Sequence, residues 1–321
     1  MKLLKKKGGL KGRDLVLIII IAVAGLMLIG IPILLAVAAA VMPEQPCVGV
    51  VKISGAIVTE SPGGFGSEGL VSSDEFTALM KDVQSRDEIK ALLFEINSPG
   101  GSVVASSEMY NSINEIDKPK VMFFREVAAS GGYYVAMAGD RIISDPNTLT
   151  GSIGARMTLM ELSELFDDLG INYTNIVSGE YKDMGDISRP LTDEEREILQ
   201  TIVDEVFADF RQIVIDGRSG RPNFSIASFD EIADGRILTG RQALDYGLVD
   251  ELGTKQDALE SAAQMGSIEV EEGEEIPVCE LSTESGLFEL LFASSANALS
   301  QIISQALDLA NQNDGMQLQY R

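Results

Sequence analysis

Three short segments combine serine with glycine: NSPGGSV from Asn97, AASGGYYVA from Ala128 and TGSIGA from Thr150. A serine hydroxyl attacks a carbonyl carbon only when a neighbouring base accepts its proton. We rank Ser130 first as the nucleophile, because it lies in a small-residue segment and two glycines follow it directly. The competing hydroxyls in the first segment and just after it are those of Ser98, Ser102, Ser106 and Ser107.

The base that would accept this proton cannot be histidine, because the chain contains none. A Ser-His-Asp triad and a histidine-built zinc site are therefore excluded. Carboxylates are too acidic to activate serine near neutral pH, so lysine is the remaining candidate. Burial would have to lower the lysine pKa well below its reference value of ~10.4. The candidates beyond residue 42 are Lys52, Lys81, Lys90, Lys118, Lys120, Lys182 and Lys255.

Glycines in the same segments could supply backbone donors to a developing oxyanion. Gly100 and Gly101 follow Pro99, and Gly131 follows Ser130 where a helix is predicted to begin. Without side chains, their N–H groups can approach a carbonyl oxygen closely, and a helix N-terminus favours negative charge. We predict no metal ion and no organic cofactor for this site.

The elements that position these segments alternate between strand and helix. Apolar runs at CVGVVKISGAIV, KALLFEI and KVMFF predict strands, separated by helices over DEFTALMKDVQ and residues 103–116. This alternation predicts an α/β fold with a parallel sheet, whose strand ends receive ligands. Further on we predict strands at RIIS, GSIGAR and INYTNIV, and a long helix from Thr192. Thr192 and Glu195 form a capping-box pattern at its start.

The N-terminal region predicts a membrane anchor. Residues 15–42 carry no charge, and this stretch is longer than the ~20 residues that a spanning helix needs. Residues 1–14 contain six basic residues and one acidic residue. The positive-inside rule then predicts a single-pass protein of the cell membrane, with a cytoplasmic N-terminus and an extracytoplasmic catalytic domain. The alternative is a cleaved signal peptide, but its apolar region is normally only ~7–15 residues.

Composition argues against nucleic acid as a partner, since the net charge is -24 and basic clusters are confined to the N-terminus. Two cysteines, Cys47 and Cys279, are too few for a disulfide framework. We expect them to be unpaired, although one bridge would be compatible with an oxidising compartment. The acidic run at 268–276 predicts a solvated connector, and residues 286–310 predict an amphipathic C-terminal helix followed by a tail.

The order of the motifs carries a family resemblance. NSPGG, AASGGYY, AGDRI, TGSIGA, SGEYKDMGD, RPLTDEER and GRQALDYGLVDELG follow one another over about residues 47–265. This series resembles the signal peptide peptidase A family of bacteria and archaea in its short, single-module form. The resemblance implies a Clp-protease/crotonase-like fold of repeated β-β-α units. It implies Ser130 as nucleophile, Lys182 as general base and Ser152 as the hydroxyl that orients the lysine, with the N–H groups of Gly101 and Gly131 forming the oxyanion hole.

The resemblance also implies a biological role. The expected substrates are remnant signal peptides and other extended exported peptides, and the expected assembly is a ring-like homo-oligomer with active sites between subunits. We therefore divide the chain into a cytoplasmic segment (1–14), an anchor (15–42), a peptidase domain (43–266) and a C-terminal region (267–321).

Two alternatives to a peptidase stay open. A crotonase-type acyl-CoA enzyme would use the same paired N–H groups on a thioester enolate and would need no Ser-Lys dyad. A catalytically silent membrane scaffold would need only the assembly.

Overall fold

The computed structural model describes residues 45–61, 69–271 and 273–281. The predicted anchor at 15–42 and the C-terminal helix predicted at 286–310 lie outside these residues. Within the described ranges, no helix is long and apolar enough to span a bilayer.

The strands are numbered in chain order over the described residues. They are β1 (Cys47–Ser54), β2 (Ala56–Val58), β3 (Leu70–Ser72), β4 (Ile89–Ser98), β5 (Lys120–Ala129), β6 (Arg141–Ser144), β7 (Leu149–Gly151), β8 (Ile237–Thr239), β9 (Glu251–Leu252) and β10 (Val278–Leu281). The main sheet has the order β10-β1-β4-β5-β6-β9, and β7 joins β5 to β8. Every pair is parallel except β7 with β8. A separate parallel pair is formed by β2 and β3.

The helices are numbered in the same way. They are α1 (Ser73–Ser85), α2 (Val103–Asn114), α3 (Gly131–Ala136), α4 (Ser163–Asp168), α5 (Asp193–Arg218), α6 (Ile226–Asp230), α7 (Gly240–Asp245) and α8 (Lys255–Met265). The predicted α/β fold is thus confirmed, and so is the capping box that begins α5 at Thr192.

The sheet is covered on both faces, which explains why its strands are nearly continuous apolar runs. Alternate residues of β1, β4 and β5 face two separate clusters. The larger cluster includes Val51, Phe94 and Phe124 and packs with α1, α2, α3 and α5. The smaller includes Val50 and Leu93 and packs under α8. The rigid centre of the sheet therefore supports the loops that leave its strands.

Strand β5 changes partners along its length. Its first half pairs with β6, and its last three residues pair with β7, with Ala129 opposite Gly151. The switch is accompanied by a register shift between β4 and β5 after Ile96. As a result, the ends of β5 and β7 lie side by side, and Ser130 and Ser152 follow them directly.

Several local predictions differ from the structure. Residues 171–177 form no strand, and their side chains are exposed. Because no neighbouring strand pairs with this segment, its apolar alternation does not lead to burial. The predicted strand GSIGAR is likewise reduced to the end of β7 at Gly151, because the backbone turns at Ser152 with a φ of 51°.

The expectation that the two cysteines are unpaired is wrong, because Cys47 and Cys279 form a disulfide. The bridge joins the adjacent parallel strands β1 and β10, in which Val48 pairs with Val278 and Gly49 pairs with Cys279. Strand β10 follows the connector predicted at 268–276, in a region for which no strand was predicted, so the main sheet extends beyond residue 266. A sequence separation of 232 residues gives no hint that these cysteines meet.

Candidate active site

Ser130 occupies a sharp turn between β5 and α3. Its φ is 51° and its ψ is -123°, which costs a non-glycine residue on the order of 1–3 kcal/mol. The turn is held because the Ser130 N–H donates to Gly151 O at 2.9 Å. Helix α3 is anchored by buried Tyr133, whose hydroxyl donates to Leu248 O at 2.7 Å. The surrounding structure thus fixes the serine in a strained position.

Two backbone N–H groups flank this serine. The Ile57 N–H donates to Gly100 O at 3.0 Å, and Ile57 O accepts from the Ser102 N–H at 2.8 Å. This is a parallel β-bridge between Ile57 and Gly101, so the Gly101 N–H points away from Ile57. Gly131 is the first residue of α3, and its N–H has no intrahelical acceptor. A Cβ added to Gly131 would lie 3.2 Å from Gly101 N. The two donors are therefore close neighbours.

Close approach of the backbone explains why two of these positions are glycine. A Cβ on Gly101 would lie 2.0 Å from Ile57 O, and one on Gly131 would lie 2.3 Å from Ser106 Oγ. The first contact is with backbone and would require the backbone to shift, whereas the second would require the Ser106 side chain or the backbone to move. The glycines therefore permit these two segments to approach each other closely.

A cavity of about 740 Å³ opens in front of these groups. Ser130, Ser152 and Gly101 line it, together with Arg156 and Asp234. Ser152 has a φ of 51°, and its N–H donates to Arg236 O at 2.8 Å. Hydrogen bonds from the neighbouring Arg236 lower the pKa of Asp234 to about 2. The structure therefore brings four of the five predicted site residues together: Ser130, Ser152, Gly101 and Gly131.

Lys182 is the exception. It lies in an exposed turn that follows Gly179, and it is not among the residues that line the serine cavity. Within the described part of the chain, no hydrogen bond or ion pair reaches its Nζ. A single chain therefore does not bring this lysine into the lining of the serine cavity.

Most of the competing lysines have structural partners instead. Lys52 pairs with Glu280, and Lys255 pairs with buried Glu95. Burial lowers the pKa of Lys118, but its Nζ donates to Val83 O at 2.7 Å and to Arg86 O at 2.5 Å. Lys118 thus satisfies the carbonyl groups at the end of α1 and does not line the serine cavity.

The competing serines near Ser130 are similarly occupied. Ser98 donates to Gly55 O at 2.6 Å, and Ser106 donates to Ser102 O at 2.8 Å. Ser102 caps α2 by accepting from the Ala105 N–H. These hydroxyls stabilise the loop that carries Gly101, which supports the higher rank of Ser130.

A second, smaller cavity of about 120 Å³ adjoins Ser130. Its walls include Tyr134 from α3 with Val206 and Phe210 from α5. Tyr134 is fixed between rings, with its centroid 5.2 Å from that of Phe210 and 5.5 Å from that of Tyr110. Val206 and Phe210 could not be recognised from the sequence, because their spacing is that of any apolar helix face. The cavity can receive an apolar side chain beside the serine.

A strained serine at a strand-to-helix turn, close to the backbone N–H groups of two glycines, is typical of a serine hydrolase. Comparison with known proteins supports this class. The family model described as peptidase family S49 matches residues 112–269, and the model described as Clp protease matches residues 70–150.

Individual relatives agree with the family models. The chain is 40% identical over 205 residues to "Putative protease slr0021" of Synechocystis sp., which covers 63% of this chain and 73% of the relative. It is 38% identical to "Putative protease MJ0651" of Methanocaldococcus jannaschii, with 67% of each chain covered. "Putative signal peptide peptidase SppA" of Enterococcus faecium is 34% identical, with 66% of this chain and 62% of the relative covered. The chain belongs to peptidase family S49 and is a serine peptidase with a Clp-protease-like α/β fold.

Proposed function

We propose that this peptidase cleaves extended peptides through an acyl-enzyme formed on Ser130, with Lys182 as the general base. The observation that carries the proposal is the strained turn at Ser130, flanked by the N–H groups of Gly101 and Gly131. In this mechanism the substrate carbonyl oxygen accepts hydrogen bonds from both N–H groups. Ser130 Oγ attacks the carbonyl carbon, and its proton passes to Lys182 Nζ.

The second half of the reaction uses the same groups. The Lys182 ammonium donates its proton to the leaving amine, and the amine departs as the peptide bond breaks. The neutral lysine then takes a proton from water, whose oxygen attacks the acyl carbonyl carbon. The bond from this carbon to Ser130 Oγ breaks, and the lysine ammonium returns the proton to Oγ. The Ser152 hydroxyl, in the same cavity as Ser130, would hydrogen-bond Lys182 Nζ and keep it in line.

Lys182 would come from a neighbouring copy of the chain in a ring-like homo-oligomer. Two observations support this assembly. The serine cavity of one chain is not lined by its own Lys182. The surrounding segment also exposes many apolar side chains, and such clusters mark interaction surfaces. They are Met157, Leu159, Met160, Leu165, Leu169, Ile171, Tyr173, Ile176, Val177 and Ile187, with Ile176 97% exposed.

The proposed substrates are remnant signal peptides and other extended exported peptides. The apolar cavity formed by Tyr134, Val206 and Phe210 supports this choice, because signal peptides are rich in apolar side chains. We propose that residues 15–42 anchor the enzyme in the cell membrane as a single span, with the N-terminus cytoplasmic and the catalytic domain outside. The Cys47–Cys279 disulfide supports an oxidising, extracytoplasmic location.

The dyad is tested with the full chain in detergent and a fluorogenic peptide rich in leucine or alanine. We expect Ser130→Ala and Lys182→Ala to abolish hydrolysis, whereas Lys90→Ala, at another exposed lysine, retains it. A fluorophosphonate should label the wild type and not Ser130→Ala. Wild-type turnover without loss in either dyad variant would reject the mechanism. A folded wild type that neither turns over nor reacts with the label would favour the scaffold alternative.

The assembly is tested by mixing the two inactive variants as co-expressed subunits. If Lys182 acts on the neighbouring Ser130 in a closed ring, random mixing gives about a quarter of wild-type activity, because such a site needs one intact partner of each kind. If both groups act within one chain, mixtures stay inactive. Mass measurement of the mixed particles confirms that subunits have exchanged.

A further inference from the structure

The residues on either side of Lys182 interact with the first turn of α5. On one side, the Glu194 carboxylate interacts with the Tyr181 hydroxyl and raises its pKa to about 12. On the other side, Asp183 is linked to Glu195 through Arg189. Lys182 thus directly precedes the tethered Asp183, while its Nζ has no partner in the described ranges.

Arg189 donates two hydrogen bonds to each of two carboxylates, those of Asp183 and Glu195. Its Nε and Nη2 donate to Asp183 at 3.2 and 2.8 Å. Its Nη1 and Nη2 donate to Glu195 at 2.9 and 2.5 Å. The guanidinium plane suits this double fork, which a lysine ammonium cannot reproduce. One side chain therefore fixes both the position and the orientation of Asp183 relative to α5.

The Glu195 end of this link is firmly anchored. The Glu195 side chain is only 3% exposed and also accepts from the Thr192 N–H at 2.9 Å, which completes the capping box. Hydrogen bonds from Arg189 lower the pKa of Glu195 to about 2 and also lower the pKa of Asp183. Both carboxylates therefore stay ionised near neutral pH, so the link persists where the enzyme works.

We propose that Arg189 is a positioning residue for catalysis: by joining Asp183 to Glu195 it fixes the turn from which Lys182 reaches the serine site. This inference rests on the proposed role of Lys182 as base. The direction of a side chain without partners depends on its backbone, and a displacement of ~1 Å in a reacting group can reduce the rate ~100-fold. Arg189 would act through this geometry without touching the substrate.

The experiment compares Arg189→Ala, Arg189→Lys and a matched control in the full chain in detergent. The control is Arg211→Ala, because Arg211 makes a similar two-bond pair with Asp230 at 2.8 and 2.9 Å on the surface of α5. We expect kcat of Arg189→Ala to fall roughly 100-fold with little change in KM. Arg189→Lys should be intermediate, and Arg211→Ala should be within about twofold of wild type.

Rescue by added guanidinium separates positioning from a general structural role. The Arg189 side chain is 31% exposed, so a small cation can enter the space it leaves. Millimolar guanidinium should raise kcat of Arg189→Ala several-fold, whereas methylammonium should not, because only the planar ion forms the double fork. The same additions should leave Arg211→Ala unchanged. Unchanged kcat in Arg189→Ala, or a loss that neither guanidinium nor Arg189→Lys restores, overturns the inference.

Asp183→Asn and Lys182→Ala distinguish a loss of positioning from misfolding and from a wrong assignment of the base. If Arg189→Ala does not fold, Asp183→Asn takes its place, since it removes the charged link to the turn but leaves the Arg189–Glu195 pair. We expect kcat of Asp183→Asn to fall roughly tenfold, and unchanged kcat would overturn the inference. Lys182→Ala is assayed in parallel. An active Lys182→Ala rejects the proposed base, whereas an inactive Lys182→Ala beside a fully active Arg189→Ala rejects only the positioning role.

Discussion

Backbone geometry at single residues organises the serine site. Ser130 and Ser152 both have a φ of 51°, in the left-handed region that non-glycine residues rarely adopt. Each follows the end of a strand, and both line the same cavity. Backbone strain at two residues of one cavity is typical of active sites, where the backbone must hold a side chain in a fixed orientation.

The position of the Gly131 N–H can be tested through its contact with Ser106. We predict that Gly131→Ala lowers kcat roughly 100-fold, because the added Cβ would lie 2.3 Å from Ser106 Oγ and displace the donor. The double variant Ser106→Gly, Gly131→Ala removes that oxygen and should recover part of the loss. Steady-state kinetics measure both. Equal kcat in the single and double variants would show that this contact does not control the donor.

At the level of elements, helix α5 connects distant parts of the molecule. Its first turn holds the segment that carries Lys182, through Arg189 and the capping box. At its other end, Arg218 is buried and binds Asp250 at 2.8 Å and Gly247 O at 2.8 Å. Asp250 in turn accepts from the Ile142 N–H of β6 at 2.8 Å. A single helix of 26 residues thus links the lysine turn to the main sheet.

Ionisation of Glu195 makes the start of α5 sensitive to acid. The pKa of Glu195 is lowered from 4.5 to about 2 by hydrogen bonds from Arg189. The charged form is therefore favoured in the folded state, so its stabilisation is complete above pH 4.5 and is lost as the pH falls towards about 2. We predict that Tm of the wild type falls more steeply in this interval than Tm of Glu195→Gln. Parallel slopes in calorimetric scans would contradict the prediction.

The buried pair at the end of α5 should matter more than a surface pair. Burial alone would raise the pKa of Asp250, but hydrogen bonding and charge from Arg218 outweigh it and lower the pKa. Arg218→Met leaves this carboxylate without its main partner and should cost about 3–5 kcal/mol of unfolding free energy. The surface variant Arg211→Met should cost at most about 1 kcal/mol.

Urea titrations compare the Arg218 and Arg211 variants directly. The double variant Arg218→Met, Asp250→Asn removes the unpaired charge as well. It should therefore be more stable than Arg218→Met alone. Equal losses for the buried and surface single variants would rule out a special role for burial.

At the scale of the whole molecule, the disulfide closes nearly the entire described chain. Cys47 and Cys279 are separated by 232 residues, and their bridge joins the edge strand β10 to β1. A long closed loop restricts the unfolded chain, which stabilises the folded state by about 2–5 kcal/mol. Strand β10 is also held by a short ladder of four residue pairs and by the Lys52–Glu280 ion pair.

Removal of this bridge should lower stability without changing the fold. We predict that a reductant lowers Tm of the wild type and that Cys47→Ser, Cys279→Ser has a comparably reduced Tm that no longer responds to reductant. Calorimetry with and without dithiothreitol measures both effects. An unchanged wild-type Tm after verified reduction would show that β10 needs no covalent support.

Patterns local in sequence were enough to predict the architecture. Strand and helix alternation indicated the α/β sheet, and Thr192 with Glu195 marked the start of α5 within one residue. The family resemblance carried by the order of the motifs also led to Ser130, Ser152, Gly101 and Gly131, which the structure brings together. These features are predictable because apolar periodicity and glycine requirements act over a few neighbouring residues.

Long-range contacts could not be predicted in this way. The sequence by itself determined the fold class, the family and the serine segment, because each is encoded in local pattern and motif order. Only the tertiary structure decided that Cys47 meets Cys279, that residues 171–177 stay exposed, that Val206 and Phe210 line a cavity, and that Arg189 joins the Lys182 turn to α5. Each of these depends on which surfaces the folded sheet brings within contact distance, and no spacing along the chain carries that information.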